Sequence, residues 1–157
     1  MTIGIADRIR AFAVDAVAPG RLPSEATGLV AVGWATVELE RAVPQLAAAL
    51  GVDSTIFVAA AGSTALGARG LIATGILEDG LSLIAIEPST EGRTAAALAR
   101  WDEGPIAAWY APTVVVAQDP GRPWRDGPFG PERIVGGDPL TGPHRLLVVV
   151  GTGTIPA

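Results

Sequence analysis

The stretch from Leu81 to Tyr110, LSLIAIEPSTEGRTAAALARWDEGPIAAWY, constrains the fold more than any other. It reads as strand, turn, short helix, turn, strand. Ser82, Ile84 and Ile86 alternate with Leu83, Ala85 and Glu87, the period of a pleated strand, and Pro88 stops it. Ser89 and Thr90 are placed to cap a helix over Gly92 to Trp101, with Glu91 in its first turn, where an anion suits the helix dipole. Asp102, Glu103, Gly104 and Pro105 end that helix, and Ile106 to Tyr110 opens a second apolar strand. The remaining elements hang on either side of this joint.

At 157 residues the chain has room for one domain with a real core. Apolar residues make up 49% and charged residues 17%, and the mean hydropathy is +0.41. So much apolar surface implies an apolar ligand pocket or burial between two copies of the chain. No apolar run approaches the ~18 residues of a membrane span. The N-terminal segment, with Asp7, Arg8, Arg10 and Asp15 spread through it, lacks the form of a signal peptide. A cytoplasmic location is expected. Net charge is −5, Lys is absent and no basic cluster exists, which argues against nucleic-acid binding. Without Cys there are no disulfides, thiol nucleophiles or thiolate metal sites.

In chain order, Ile5, Ile9, Phe12, Ala13 and Ala16 recur near helical spacing, predicting a helix within Ile3 to Val17; Ala18-Pro19-Gly20 ends it. Leu29 to Thr36 reads as a strand in which Gly33 marks a bulge or the close approach of another backbone. Val37 to Leu50 reads as a helix closed by Gly51. Pro44 inside it implies a kink or a later start. Strands are predicted over Ser54 to Ala60, from about Arg69, and over Leu81 to Glu87, with Glu78-Asp79-Gly80 as a hairpin turn. The second half holds strands at Ile106 to Tyr110, Thr113 to Gln118, Glu132 to Val135 and Arg145 to Val150, and no helical pattern between the first two. It reads as a reduced copy of the first.

Ala31-Val32-Gly33-Trp34-Ala35-Thr36, followed by Glu38-Leu39-Glu40-Arg41-Ala42, resembles the opening strand and helix of the vicinal oxygen chelate superfamily, which includes the glyoxalase and bleomycin-resistance proteins. Leu66-Gly67-Ala68-Arg69 resembles the turn before that family's third strand. Ile86-Glu87-Pro88, a short helix and Asp102-Glu103-Gly104 are similar to the methylmalonyl-CoA epimerase branch. The resemblance covers about Val30 to Tyr110. It implies an α+β fold: two βαβββ-like modules forming a half-open mixed β-barrel, here with the second module reduced and an extra N-terminal helix. Residues 1–28 would form that helix and its loop, 29–104 the first module with the bridge helix, and 105–157 the second module. A homodimer is the expected assembly.

Many members of the superfamily hold a divalent metal in the barrel through His and carboxylate or Gln ligands. Carried over one position at a time, the first-strand His falls on Ala31, the fourth-strand carboxylate on Ile84 and the fifth-strand His on Ala107. The final-strand carboxylate falls in Arg145 to Val150, which contains no acid. The resemblance therefore implies the fold without its usual metal, and no other cofactor is indicated. Small apolar residues at these positions imply a dry pocket or a filled core, and the chain's hydrophobicity favours the pocket. Its expected lining is Ala31, Ile84, Ala107 and Trp109. Trp34, at an odd offset from Ala31, faces the helical layer. Trp124, in a Pro/Gly-rich loop, is a lid anchor or an interface residue, and Trp101 is a core residue at the end of the bridge helix.

The leading function is metal-independent binding of an apolar small molecule in the barrel, in the manner of bleomycin-resistance proteins. The alternatives are a metal-independent isomerase, lyase or cyclase of the same fold, and an accessory subunit of a partner enzyme. For the enzyme, Glu87, His144 and Asp119 are the candidate acids and bases. The plainer readings are a structural ion pair for Glu87, with Arg93 or Arg100, and a surface turn for His144. Gly151-Thr-Gly-Thr154 follows the last strand and opens no helix, so it is not a phosphate loop.

Overall fold

A computed structural model describes residues 3–113, 124–138 and 142–148. Three helices, α1 (Ile5–Ala16), α2 (Leu39–Leu50) and α3 (Arg93–Trp101), accompany seven strands. The strands are β1 (Ala26–Ala35), β2 (Val58–Ser63), β3 (Ala68–Ala73), β4 (Ser82–Pro88), β5 (Gly104–Pro112), β6 (Glu132–Asp138) and β7 (Gly142–Val148). They form one mixed sheet in the order β2-β3-β4-β1-β5-β7-β6. In each half the first strand lies parallel to the last, β1 beside β4 and β5 beside β7. The two halves meet along the antiparallel β1–β5 pair, where Ala31 faces Trp109 and Gly33 faces Ala107. This is the two-module α+β architecture, with three described strands in the second half against four in the first.

The alternation read from the sequence sorts residues onto two faces. Ala31 and Ala35 of β1, Ile84 and Ile86 of β4, Ala107 and Trp109 of β5, and Leu146 and Val148 of β7 pack into one inner cluster. Val32 and Trp34, with Leu83 and Ala85, face the opposite way and bury against α1 and α2 through Ile9, Leu39, Val43 and Leu46. Trp34 thus lies in the helical layer, as its offset from Ala31 predicts. A third cluster, with Ala16, Tyr110 and Leu147, seats the end of α1, and the Tyr110 hydroxyl donates to the Ala16 carbonyl at 2.9 Å.

The sheet curls until its two edges meet. Ser63 at the end of β2 donates its hydroxyl to the Glu132 carboxylate at the start of β6. Beside it, the Thr64 amide donates to the Asp126 carbonyl at 3.0 Å. Gly33 permits the curl in a way the sequence only half indicates. A bulge does follow it, as the β1–β5 register shifts between Gly33 and Trp34. The group that approaches is a side chain, however: a Cβ on Gly33 would sit 2.6 Å from the Trp109 ring.

Several boundaries differ from the sequence reading for local reasons. β2 begins at Val58, not Ser54, because the Asp53 carboxylate accepts from the Thr55 amide at 2.8 Å and holds Ser54–Ile56 in a 3-10 turn. α2 runs through Pro44, which lies on its exposed face, so the carbonyl of Glu40 that loses its donor can turn to water. α3 starts without a side-chain cap from Ser89 or Thr90. Thr94 ties its first turn to the β2–β3 turn instead, through its amide and its hydroxyl, both donating to the Leu66 carbonyl. Trp101 is 39% exposed and not core, since it ends α3 just before the chain turns at Asp102, whose φ is 65°. The strand expected at Thr113 to Gln118 lies, beyond Thr113, outside the described residues.

Replacing Gly33 by Ala should destabilise the protein by about 1–3 kcal/mol, the cost of overpacking a filled core. Gly28→Ala, on the same strand with nothing within 4 Å of an added Cβ, is the control. Urea unfolding followed by far-UV circular dichroism distinguishes the two, and equal midpoints would contradict the packing described.

Candidate functional site: a filled barrel and an outer cavity

The barrel interior is where the sequence places a pocket. Ala31, Ile84, Ala107 and Trp109 do converge there, each 0–1% exposed. They pack together in one buried cluster. The Trp109 ring covers Gly33 and Ala107 and meets Phe129 edge-on at a centroid distance of 5.5 Å. Gly33 leaves the room that this indole takes.

Glu132 closes this interior, and sequence reading missed it. It is fully buried. One carboxylate oxygen accepts from Trp109 Nε1 at 2.9 Å and the other from the Ser63 hydroxyl. The Ser63 oxygen in turn accepts the Leu66 amide at 3.1 Å. Burial pushes the Glu132 carboxyl above the ordinary carboxylate range, and the hydrogen bonds from Ser63, Trp109 and the Ala65 backbone offset only part of that push. A Cβ at Gly127 would collide with the carboxylate, so the loop before β6 can pass over it only as glycine. A lone acid at a strand start, beside a Pro/Gly-rich loop, was the available signal.

The other candidates are placed differently. Glu87 is a structural ion pair, as favoured, but its partner is Arg69 at 2.8 Å and neither Arg93 nor Arg100. Its second oxygen accepts the Leu39 amide at 2.9 Å, at the start of α2. The Arg69 hydrogen bond holds its pKa below the ordinary value, assisted by the Leu39 amide and opposed by partial burial, which ill suits a general base. His144 is fully buried on β7 beside Ala107 of β5, not at a surface turn. By alternation it shares the inner face with Leu146 and Val148. Glu132 pairs with Val148, four residues further along β7. The two titratable groups therefore stand about 13 Å apart along the strand. Trp124 lies on the outer face, packed near Tyr110 and Leu147 with the Arg133 guanidinium 4.5 Å from its ring centroid. It is not part of the barrel interior. Asp119 lies outside the described residues.

The metal that the fold family implies does not fit these side chains. Ala31, Ile84 and Ala107 carry no donor atom, and the described inner face of β7 offers a single imidazole. Among the described residues no three His, Asp or Glu side chains stand together as a metal site. No helix among the described residues is long and apolar enough to cross a membrane.

A cavity of about 500 Å³ opens instead on the outer side of the sheet. One wall is α1, through Ile9, Ala13, Val14 and Val17. The others are Leu29 of β1, Ala49 and Leu50 at the end of α2, and Ile76, Leu77 and Leu81 of the β3–β4 loop. Arg10, Glu78 and Asp79 are the charged residues of its lining. The loop is shaped by left-handed backbone at Gly75, Asp79 and Gly80. The N-terminal helix is therefore the element that makes this cavity.

The topology, the module repeat and the curled sheet define the vicinal oxygen chelate fold. Solved structures agree. Methylmalonyl-CoA epimerase from Mycobacterium tuberculosis aligns with a TM-score of 0.62 at 18% identity, over 83% of this chain and 93% of that one. A variant of the Streptomyces coelicolor methylmalonyl-CoA epimerase, in complex with 2-nitronate-propionyl-CoA, aligns at 0.60 and 20% identity, over 80% and 96%. The likeness is one of fold. No family model and no curated protein matches the chain.

The raised pKa of Glu132 has a signed consequence. Its neutral form is favoured in the folded state, so its stabilising contribution is complete below the unfolded value of about 4.3 and is lost as pH rises through the higher folded value. Glu87 and Glu103, whose folded pKa values are lowered, act in the opposite sense. Glu132→Gln should therefore gain stability relative to the parent as pH rises from 4 to 8, whereas Glu132→Ala, stranding the Trp109 and Ser63 donors, should lose about 1–3 kcal/mol. Urea titrations across that range test both. A constant difference between Glu132→Gln and the parent would mean that the carboxyl is not shifted.

Proposed function

We propose that this chain is a metal-independent protein of the vicinal oxygen chelate fold that binds an apolar small molecule without transforming it. The binding site in this reading is the outer cavity beneath α1, not the barrel interior. The observation that carries it is the cavity itself: about 500 Å³, with apolar side chains everywhere but Arg10, Glu78 and Asp79. That size and composition match small-molecule sites in general. The filled barrel supports the same reading, because Trp109 and Glu132 occupy the space in which other members of the fold would place a ligand. The absence of donor atoms at Ala31, Ile84 and Ala107 argues against carrying epimerase chemistry over from the structural neighbours. An acid/base role for Glu132 lacks support, since both of its oxygens are engaged within the core.

Ala13→Trp tests the site. Ala13 lines the cavity from α1, and an indole there would fill it without touching the barrel. The parent should bind a solvatochromic apolar dye such as 1-N-phenylnaphthylamine saturably, with displacement by apolar metabolites. Ala13→Trp should weaken dye binding at least tenfold with an unchanged circular dichroism spectrum. Unaltered dye affinity in that variant would place the site elsewhere.

Metal content tests the other half of the proposal. Protein purified without chelator and dialysed against Co2+, Mn2+ or Zn2+ should retain less than stoichiometric metal by mass spectrometry. Retention of one tightly held ion per chain would overturn metal independence.

A further inference from the structure

We infer that the ligand of the outer cavity carries a protonated amine on an apolar body; this rests on the cavity being the binding site. Two independent features make the cavity mouth electronegative. The first is the orientation of α2. Ala49 and Leu50 stand at the C-terminal end of α2, whereas α1 lines the cavity along its whole length, from Ala6 in its first turn to Val17 just past its last, so that its two ends offset each other. A helix C-terminus presents the negative end of the macrodipole. α2 has no Lys or Arg in its last turn to compensate.

The second feature is the balance of side-chain charge. Arg10 is the one cation in the lining, and it is held by two carboxylates, Asp7 at 2.8 Å and Glu78 at 3.4 Å. Asp79, also in the lining, makes no ion pair among the described residues. Beyond the end of α1, Arg21 is paired with Asp15 at 3.9 Å. The lining thus carries Glu78 and Asp79 against Arg10 alone, and Asp7, just outside it, draws on the same guanidinium. A carboxylate ligand would meet repulsion from both features, and a neutral ligand would use neither. An ammonium group at the mouth, with its carbon chain laid along Ile9, Ala13 and Leu29, uses both. These charges are exposed to solvent, so their effect is modest and screened by salt.

Three probes of equal chain length separate the possibilities: octylammonium, octanol and octanoate, each displacing 1-N-phenylnaphthylamine from the intact chain at pH 7. At about 20 mM ionic strength, octylammonium should bind about fivefold to tenfold more tightly than octanol, with octanoate weakest. The spread should contract to within about twofold at 0.5 M NaCl, where screening extends over only a few ångströms. The double variant Glu78→Gln/Asp79→Asn should narrow the gap between octylammonium and octanol. Octanoate binding as tightly as octylammonium, or a ranking indifferent to salt, would overturn the cationic ligand while leaving the apolar cavity site standing. If none of the three displaces the dye, both the ligand class and the site are overturned.

Discussion

One buried ring organises this molecule. The Trp109 indole lies across Gly33 and Ala107, and its N–H is held by the Glu132 carboxyl. An indole buries roughly 150–250 Å² and must satisfy its single donor when it leaves water. The first requirement demands small residues on β1 and β5, and the second brings β6 around to deliver an acceptor. The Ser63 hydroxyl then reaches the same carboxyl from β2. The meeting of the two sheet edges, β2 through Ser63 and β6 through Glu132, runs through this arrangement.

Carboxylates are used in two opposite ways within the same chain. Glu87 at the end of β4 and Glu103 just before β5 both reach the N-terminal end of α2, accepting from the Leu39 and Val37 amides. Each also has an Arg partner, Arg69 and Arg41. For Glu103, burial alone would raise the pKa. The Val37 amide, the Thr36 hydroxyl and Arg41 together outweigh it, so the charged form is favoured. Among the described residues Glu132 has neutral donors only as hydrogen-bond partners, and burial raises its pKa. The first pair ties helix to sheet through charge; the third acid joins the two edges of the sheet by hydrogen bonds inside the core.

The cavity among the described residues lies on the helical side of the sheet. α1 lies outside the repeated modules and covers the Val32–Trp34 face of β1 only in part, so a gap remains between it, the end of α2 and the β3–β4 loop. The chain's hydrophobicity, which suggests an apolar pocket, is accommodated in both places: as a packed interior and as the lining of this gap.

The periodicity of β1, β4 and β5 is local information, and it sufficed to place Ala31, Ile84 and Ala107 on one inner face and Trp34 on the other. Composition alone removed thiol chemistry, and residue type left Ala31, Ile84 and Ala107 without a donor side chain. Whether the inner face encloses a space was not local. It depended on which way the Trp109 ring lay, and on Glu132 arriving from a strand more than twenty residues later to hold it there. Glu87 found Arg69 across the β3–β4 pair, where strand register decides proximity, in place of the nearer Arg93 on α3. His144 was buried because β7 inserted beside β5 and not at an edge. Sequence by itself determined the alternation, the turns and the chemistry available; only the tertiary structure decided which groups met, because hydrogen bonding and close packing act between side chains that the chain order keeps far apart.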